Sequence, residues 1–215
     1  MFSPFEMFLC FKEDKVSYLE QQLSNGLSVD ARFPRDCKIG HKILNNQPTL
    51  LNVAVYCRAE KCMRLLIGQG ADIEATDSAG IQLSHFAIAG GSVKIANFLD
   101  NIGVKFNNSI QIAVENGNFE AFFWLYNNKS IRLNATYAKR NSLLHYAAKG
   151  GNPRILKFIQ SETNLDINIT NEYLLTPLHL AAKYGKCEVM KALLEYPNIK
   201  VNCQDNVFFA YSEFH

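Results

Sequence analysis

Apolar residues recur along the chain in short blocks with helical spacing. Cys62-Met63-Arg64-Leu65-Leu66-Ile67 leads into Gly68-Gln69-Gly70, and its order returns in Val93-Lys94-Ile95-Ala96-Asn97-Phe98-Leu99 and in Val189-Met190-Lys191-Ala192-Leu193-Leu194. A different block, Leu143-Leu144-His145-Tyr146-Ala147-Ala148-Lys149-Gly150-Gly151, reappears as Pro177-Leu178-His179-Leu180-Ala181-Ala182-Lys183-Tyr184-Gly185, with the two histidines 34 positions apart. Leu83-Ser84-His85-Phe86-Ala87-Ile88-Ala89-Gly90-Gly91 has the same shape. Ala54, Ala87, Ala113, Ala147 and Ala181 mark one register, spaced 33 or 34 apart except for a step of 26 between Ala87 and Ala113. The pattern predicts two short helices per unit with a glycine-containing break between them. A unit that small cannot bury its apolar face alone, so the units must stack.

The clearest unit is Thr176-Pro177-Leu178-His179-Leu180-Ala181-Ala182-Lys183-Tyr184-Gly185. Thr176 can cap a helix through its hydroxyl, and Pro177 suits the first turn. Ala181 and Ala182 let two helices approach closely, and Gly185 can take the left-handed conformation that ends a helix. With Gln69-Gly70-Ala71-Asp72-Ile73-Glu74-Ala75-Thr76-Asp77-Ser78-Ala79-Gly80, this stretch resembles the ankyrin repeat family. The resemblance covers about 48–204. It implies an all-α ankyrin-repeat solenoid: stacked helix-turn-helix units with hairpin-like fingers. It also implies a structural task for His85, His145 and His179, each tied to backbone of a neighbouring turn. Asn134, Asn168 and Asn202, just before the fingers, serve hairpin structure in that family.

The expected organisation is a degenerate N-terminal capping helix pair at 1–33 and an exposed basic loop at 34–47, with a helical turn near 39–44. Five repeats follow at about 48–77, 78–106, 107–136, 137–170 and 171–204, and 205–215 is an incomplete repeat or a tail. Val207-Phe208-Phe209-Ala210-Tyr211 is aromatic where a polar cap is expected. Either these residues fold back over the open end of the stack, or the chain is a piece of a longer array. Departures from the pattern carry information. Asn107-Asn108-Ser109 replaces most of a finger, which predicts a notch in the finger row. Arg140 and Leu174 stand where the turn glycine belongs, and an unsupported left-handed backbone is costly for either, so those turns are expected to have different geometry.

Composition adds few constraints. Of 215 residues, 48% are apolar, which excludes a disordered chain. The longest uncharged stretch, 78–93, is too short and too polar for a membrane span. The start is apolar without a basic leader, which predicts a buried first helix and not a signal peptide. Six scattered cysteines with no C-x-x-C pair point to a reducing compartment, so a cytoplasmic location, with nuclear entry open, is expected. No P-loop, nucleophile elbow or zinc-protease motif is present. Equivalent histidines in separate units lie along a stack and do not converge. Catalytic, cofactor-binding and metal residues are therefore expected to be none, and no cofactor is implied.

The formal net charge is +2, yet residues 121–161 hold no acid and carry seven cations: Lys129, Arg132, Lys139, Arg140, Lys149, Arg154 and Lys157. Flanking segments are acidic. The low total and the lack of a readout motif make nucleic acid or another polyanion a less favoured ligand. The leading expectation is a non-catalytic, monomeric protein–protein interaction module, a scaffold or adaptor, whose partner is a protein or peptide of acidic character. The alternative is a recognition fragment of a larger enzyme, channel or ubiquitin-ligase component.

By resemblance, the partner-binding face is formed by finger tips and first helices. Its expected residues are Asp77, Ser78 and Ile81 on one finger, Tyr137, Lys139 and Arg140 on the next full finger, and Glu172, Tyr173 and Leu174 on the following one. From the first helices come Tyr146, Lys149, Lys183 and Tyr184, with Tyr56, Phe86 and Ala89 further back. Tyr146 and Phe86 could equally pack between units.

Overall fold

A computed structural model describes residues 2–35 and 42–203. Its elements are helices α1 (Pro4–Lys12), α2 (Val16–Ser24), α3 (Leu50–Tyr56), α4 (Glu60–Gly68), α5 (Leu83–Gly90), α6 (Val93–Asn101), α7 (Ile110–Glu115), α8 (Phe119–Asn128), α9 (Leu143–Gly150), α10 (Pro153–Glu162), α11 (Pro177–Lys183) and α12 (Cys187–Leu194). Among the described residues there is no strand, only the isolated bridges Arg32–Thr49 and Thr136–Ser142. The chain divides into two compact units, residues 1–109 and 110–215.

In the first unit α1 packs on α2 and α3, α3 on α4 and α5, and α5 on α6. The opening helix is held as its sequence suggests. Ser3 caps it, Pro4 begins it, and Met7, Phe8, Cys10 and Phe11 are buried. Asp14 accepts from the amides of Lys61 and Cys62 and so satisfies the N-terminus of α4 (3.1 and 3.0 Å). Lys42–Leu44 form a short 3-10 helix. The loop before α3 is not exposed throughout: Leu44 is buried, and the Asn46 carbonyl accepts from the Ser78 amide. The rest of the expected turn, and residues 205–215, lie outside the described residues.

In the second unit α7, α9 and α11 stack in order, while α8, α10 and α12 follow behind them. Thr176 caps α11 and Pro177 opens it. Gly91, Gly151 and Gly185 have φ of 78°, 83° and 63°, so each ends its helix in the left-handed region. In the first unit α3 and α5 approach so closely that a methyl on Gly90 would come 2.6 Å from the Tyr56 carbonyl oxygen. Phe86 is 1% exposed, which makes it a core residue and removes it from any binding face.

One expectation about the fingers is corrected. Residues 171–175 form the same turn as residues 77–81, despite leucine in place of glycine. Gly80 has φ 79° and Leu174 has φ 56°. The Asp77 carboxylate accepts from the Ala79 and Ile81 amides, both at 2.8 Å. The Asn171 amide oxygen does the same for Tyr173 and Leu175, at 2.9 and 3.1 Å. Two side-chain-to-backbone bonds hold the turn and impose the left-handed backbone on whatever residue sits fourth. The finger at Arg140 does differ, as expected: Lys139 and Arg140 are both left-handed, at φ 59° and 53°, within a short 3-10 helix. Leu174 is exposed, so Leu174→Gly loses little burial and relieves the backbone strain. The expected result is a gain of about 1 kcal/mol, read as a higher urea midpoint at unchanged slope.

Candidate functional site

The histidine ladder sets the spacing on which any site depends. His145 Nδ1 accepts from the Ser142 amide at 3.1 Å, which leaves the proton on Nε2, and Nε2–H donates to the Leu175 carbonyl at 2.9 Å. His179 repeats this with Thr176 (3.1 Å) and the Cys203 carbonyl (2.9 Å). His85 reaches the Asn107 carbonyl at 3.1 Å, but its buried Nδ1 has no hydrogen-bond partner, and Gln82 stands where the other units place Ser142 and Thr176. Each imidazole fastens a helix start to the turn that follows. Burial pushes the pKa of His145 down, partly opposed by its bond to Leu175.

Two fingers of the second unit are joined edge to edge. The Glu172 amide donates to the Lys139 carbonyl at 3.1 Å, and the Asn171 side chain donates to Asn141 at 2.9 Å. Together with α9 and α11 they enclose a groove of about 370 Å³. Six of the expected residues line it: Lys139, Tyr146, Lys149, Tyr173, Lys183 and Tyr184. Lys139 Nζ lies 5.3 Å from the centre of the Tyr173 ring, and Lys149 Nζ lies 5.4 Å from that of Tyr184, within range of cation–π attraction. Lys149 is also ion-paired with Glu115, which raises its pKa. No carboxylate among the described residues forms a salt bridge with Lys139 or Lys183.

The remaining expected residues separate from these. Tyr137 stands edge-on to Tyr146, with ring centres 5.8 Å apart, and supports it. Arg140, Glu172 and Leu174 are exposed on the fingers outside the groove lining. Ser78 and Ile81 belong to the other compact unit. Asp77 is a correction: it is buried and its carboxylate is consumed by its own turn, so it is a finger-building residue and not a contact. Asn168 likewise donates to the Asn198 carbonyl and accepts from the Lys200 amide, both at 2.8 Å.

Glu115 was missed by sequence reasoning, although the signal was available. It lies 34 positions before Lys149, which lies 34 before Lys183. One repeat position therefore contributes an acid and two cations to adjacent first helices.

The basic segment 121–161 divides between faces. Lys157 pairs with Glu195 at 2.8 Å, and the Arg154 guanidinium lies 3.9 Å from the Phe119 ring, both on second helices. Lys129 sits over Trp124. Lys139, Arg140 and Lys149 remain on the finger side, where Lys183 joins them.

Among the described residues no three His, Cys, Asp or Glu side chains gather as metal ligands would. Burial pushes the Cys57 thiol up to about 11, which makes it a poor nucleophile. The Cys62 thiol is raised by its hydrogen bond to Cys10 and by burial. No described helix is long and apolar enough to cross a membrane.

A family model of ankyrin repeats, in three copies, matches residues 110–205. Residues 110–205 are ankyrin repeats. The ankyrin fold extends over the rest of the chain. The ankyrin repeat domain of human ASB11 superposes with a TM-score of 0.64 over 94% of this chain and 89% of that one. At 19% identity that likeness shows the fold alone, an all-α ankyrin solenoid. No curated protein sequence matches the chain. Ankyrin repeats are in general protein–protein interaction modules, and the fold is typically non-catalytic.

Proposed function

We propose that this protein is a non-catalytic interaction module whose second unit binds an acidic peptide segment of a partner protein in the groove between its fingers and first helices. The observation that carries the reading is the meeting of Lys139, Lys149 and Lys183 with Tyr146, Tyr173 and Tyr184 in one concave site. Tyrosines present large, rigid surfaces with little rotamer entropy to lose. The lysines supply charge where a partner carboxylate would lie, and among the described residues no acid forms a salt bridge with Lys139 or Lys183. Glu115 partly neutralises Lys149, which favours a segment with spaced acids over a continuous polyanion. The separation of Arg154 and Lys157 from the finger side also counts against a polyanion track.

The test uses panels of fluorescein-labelled Asp/Glu-rich and Lys/Arg-rich peptides, read by anisotropy. Acidic peptides containing an aromatic residue should bind best, and more weakly at high salt. Lys139→Glu combined with Lys183→Glu should lower affinity at least tenfold, from about 1 kcal/mol per reversed charge. Arg154→Glu, on the second-helix face, should leave it unchanged. Equal loss from Arg154→Glu, or none from the lysine pair, would remove the groove from the account.

A further inference from the structure

We infer that the segment bound in this groove is an extended, proline-containing stretch of mixed charge. It places a Lys or Arg over α7, a carboxylate three residues away over α9, and a second carboxylate three further on over α11. The pattern presupposes that the groove is the partner site, and one repeat position supplies it. Glu115, Lys149 and Lys183 stand 34 positions apart and line the same groove. They belong to α7, α9 and α11, which stack in that order. The groove therefore runs from one acid to two cations along the stack. A uniformly acidic segment would set a carboxylate against Glu115, whereas a segment with a cation at that end meets opposite charge at all three places. Glu115 is ion-paired with Lys149, but the two side chains are 36 and 37% exposed. A pair so open to water is weak. A partner cation can take over Glu115 and free Lys149 for a partner carboxylate, so the pair is exchanged and not simply broken.

The three-residue spacing follows from the helices. Packed helix axes lie about 8–10 Å apart. A strand advances about 3.3 Å per residue, so three residues would span that distance, but strand side chains alternate and residues three apart point to opposite faces. A polyproline II segment has about three residues per turn and rises about 3.1 Å per residue, so residues three apart share one face about 9 Å from each other. Of the two extended forms, only the second delivers its charges to three successive helices from one side. The walls of the groove suit it as well. Tyr173 and Tyr184 are 40 and 43% exposed, and Tyr146 lines the groove with them. Proline rings pack on flat aromatic surfaces and bring no N–H that must be satisfied, and a polyproline II segment is stiff before it binds, so it loses little entropy.

Fluorescein-labelled peptides of one composition test the pattern by anisotropy with the full chain. They are Lys-Pro-Pro-Glu-Pro-Pro-Glu, its reverse, the centre-lysine isomer Glu-Pro-Pro-Lys-Pro-Pro-Glu, and the closer-spaced isomer Lys-Pro-Glu-Pro-Glu-Pro-Pro. The tighter of the first two should bind at least fivefold better than either isomer, and fivefold better than all-acid Glu-Pro-Pro-Glu-Pro-Pro-Glu. Its advantage over the all-acid peptide should vanish in Glu115→Gln and reverse in Glu115→Lys. Each readout is a ratio between peptides on one protein, so a general loss of stability does not mimic it. The inference is overturned, with the acidic-peptide reading left standing, by any of three results: an all-acid peptide that binds the parent as tightly, an advantage that survives Glu115→Gln, or equal binding of the closer-spaced isomer. Absence of binding by these peptides alongside binding of the Asp/Glu-rich panel has the same meaning. Absence of binding by both sets removes the groove itself as the partner site, and the inference with it.

Discussion

Gly150→Ala is expected to destabilise the second unit by about 3 kcal/mol, the effect of forcing atoms into a packed contact that can relax only by moving backbone. The added methyl would fall on the Val114 carbonyl oxygen and within 3.0 Å of that of Glu115. Both obstacles are main-chain atoms of α7, so no side chain can rotate out of the way. Alanine is the better helix former by about 1 kcal/mol, and the clash outweighs that preference. Urea unfolding followed by far-UV circular dichroism measures the change. Gly68→Ala is the control: Gly68 ends α4 with nothing within 4 Å of a built methyl, so helix propensity acts unopposed there and stability should rise slightly. If Gly150→Ala proved neutral, α7 and α9 would not pack at the distance described.

His145→Ala is expected to lose about 3–4 kcal/mol, with a loss of acid sensitivity besides. The substitution leaves the Ser142 amide and the Leu175 carbonyl without their partner in a site where the imidazole is 1% exposed, and it leaves a cavity. The acid dependence has a definite sign. The folded pKa of His145 lies below its unfolded value of about 6.5, so the unfolded chain takes up the proton first. The histidine's contribution is complete above about pH 6.5 and declines as pH falls from there toward the depressed folded value. Protonation would place a hydrogen on Nδ1, which must accept from Ser142. Stability measured at pH 7.5 and pH 5 should therefore converge in the Ala variant relative to the parent. A parent whose stability rises on acidification through this window would contradict the assignment.

Most of the helical scaffold is legible in the residues because its causes are local. A hydroxyl at Thr176, a proline at Pro177 and a glycine at Gly185 each act within one helical turn, and alternation at three and four residues defines the buried stripe. The ladder histidines are legible for the same reason, their partners being repeats of one another. The candidate site was only half visible. Register places Lys149 and Lys183 on neighbouring helices, and it would have added Glu115. Local pattern could not show that Asp77 turns inward to hold its own loop, or that Leu174 accepts a left-handed backbone because Asn171 supplies the bonds.

The sequence by itself determined that this protein is a stack of helix pairs in a 34-residue register, since periodicity, caps and turn residues are short-range properties of the chain. Only the tertiary structure decided which cations of the basic segment share a face. Arg154 and Lys157 lie on second helices, whereas Lys139, Lys149 and a lysine from outside the segment meet three tyrosines in one groove. It also decided why Gly150 must be glycine. Both depend on the distance and rotation between neighbouring units, which arise from packing across the repeat and leave no periodic mark on the chain.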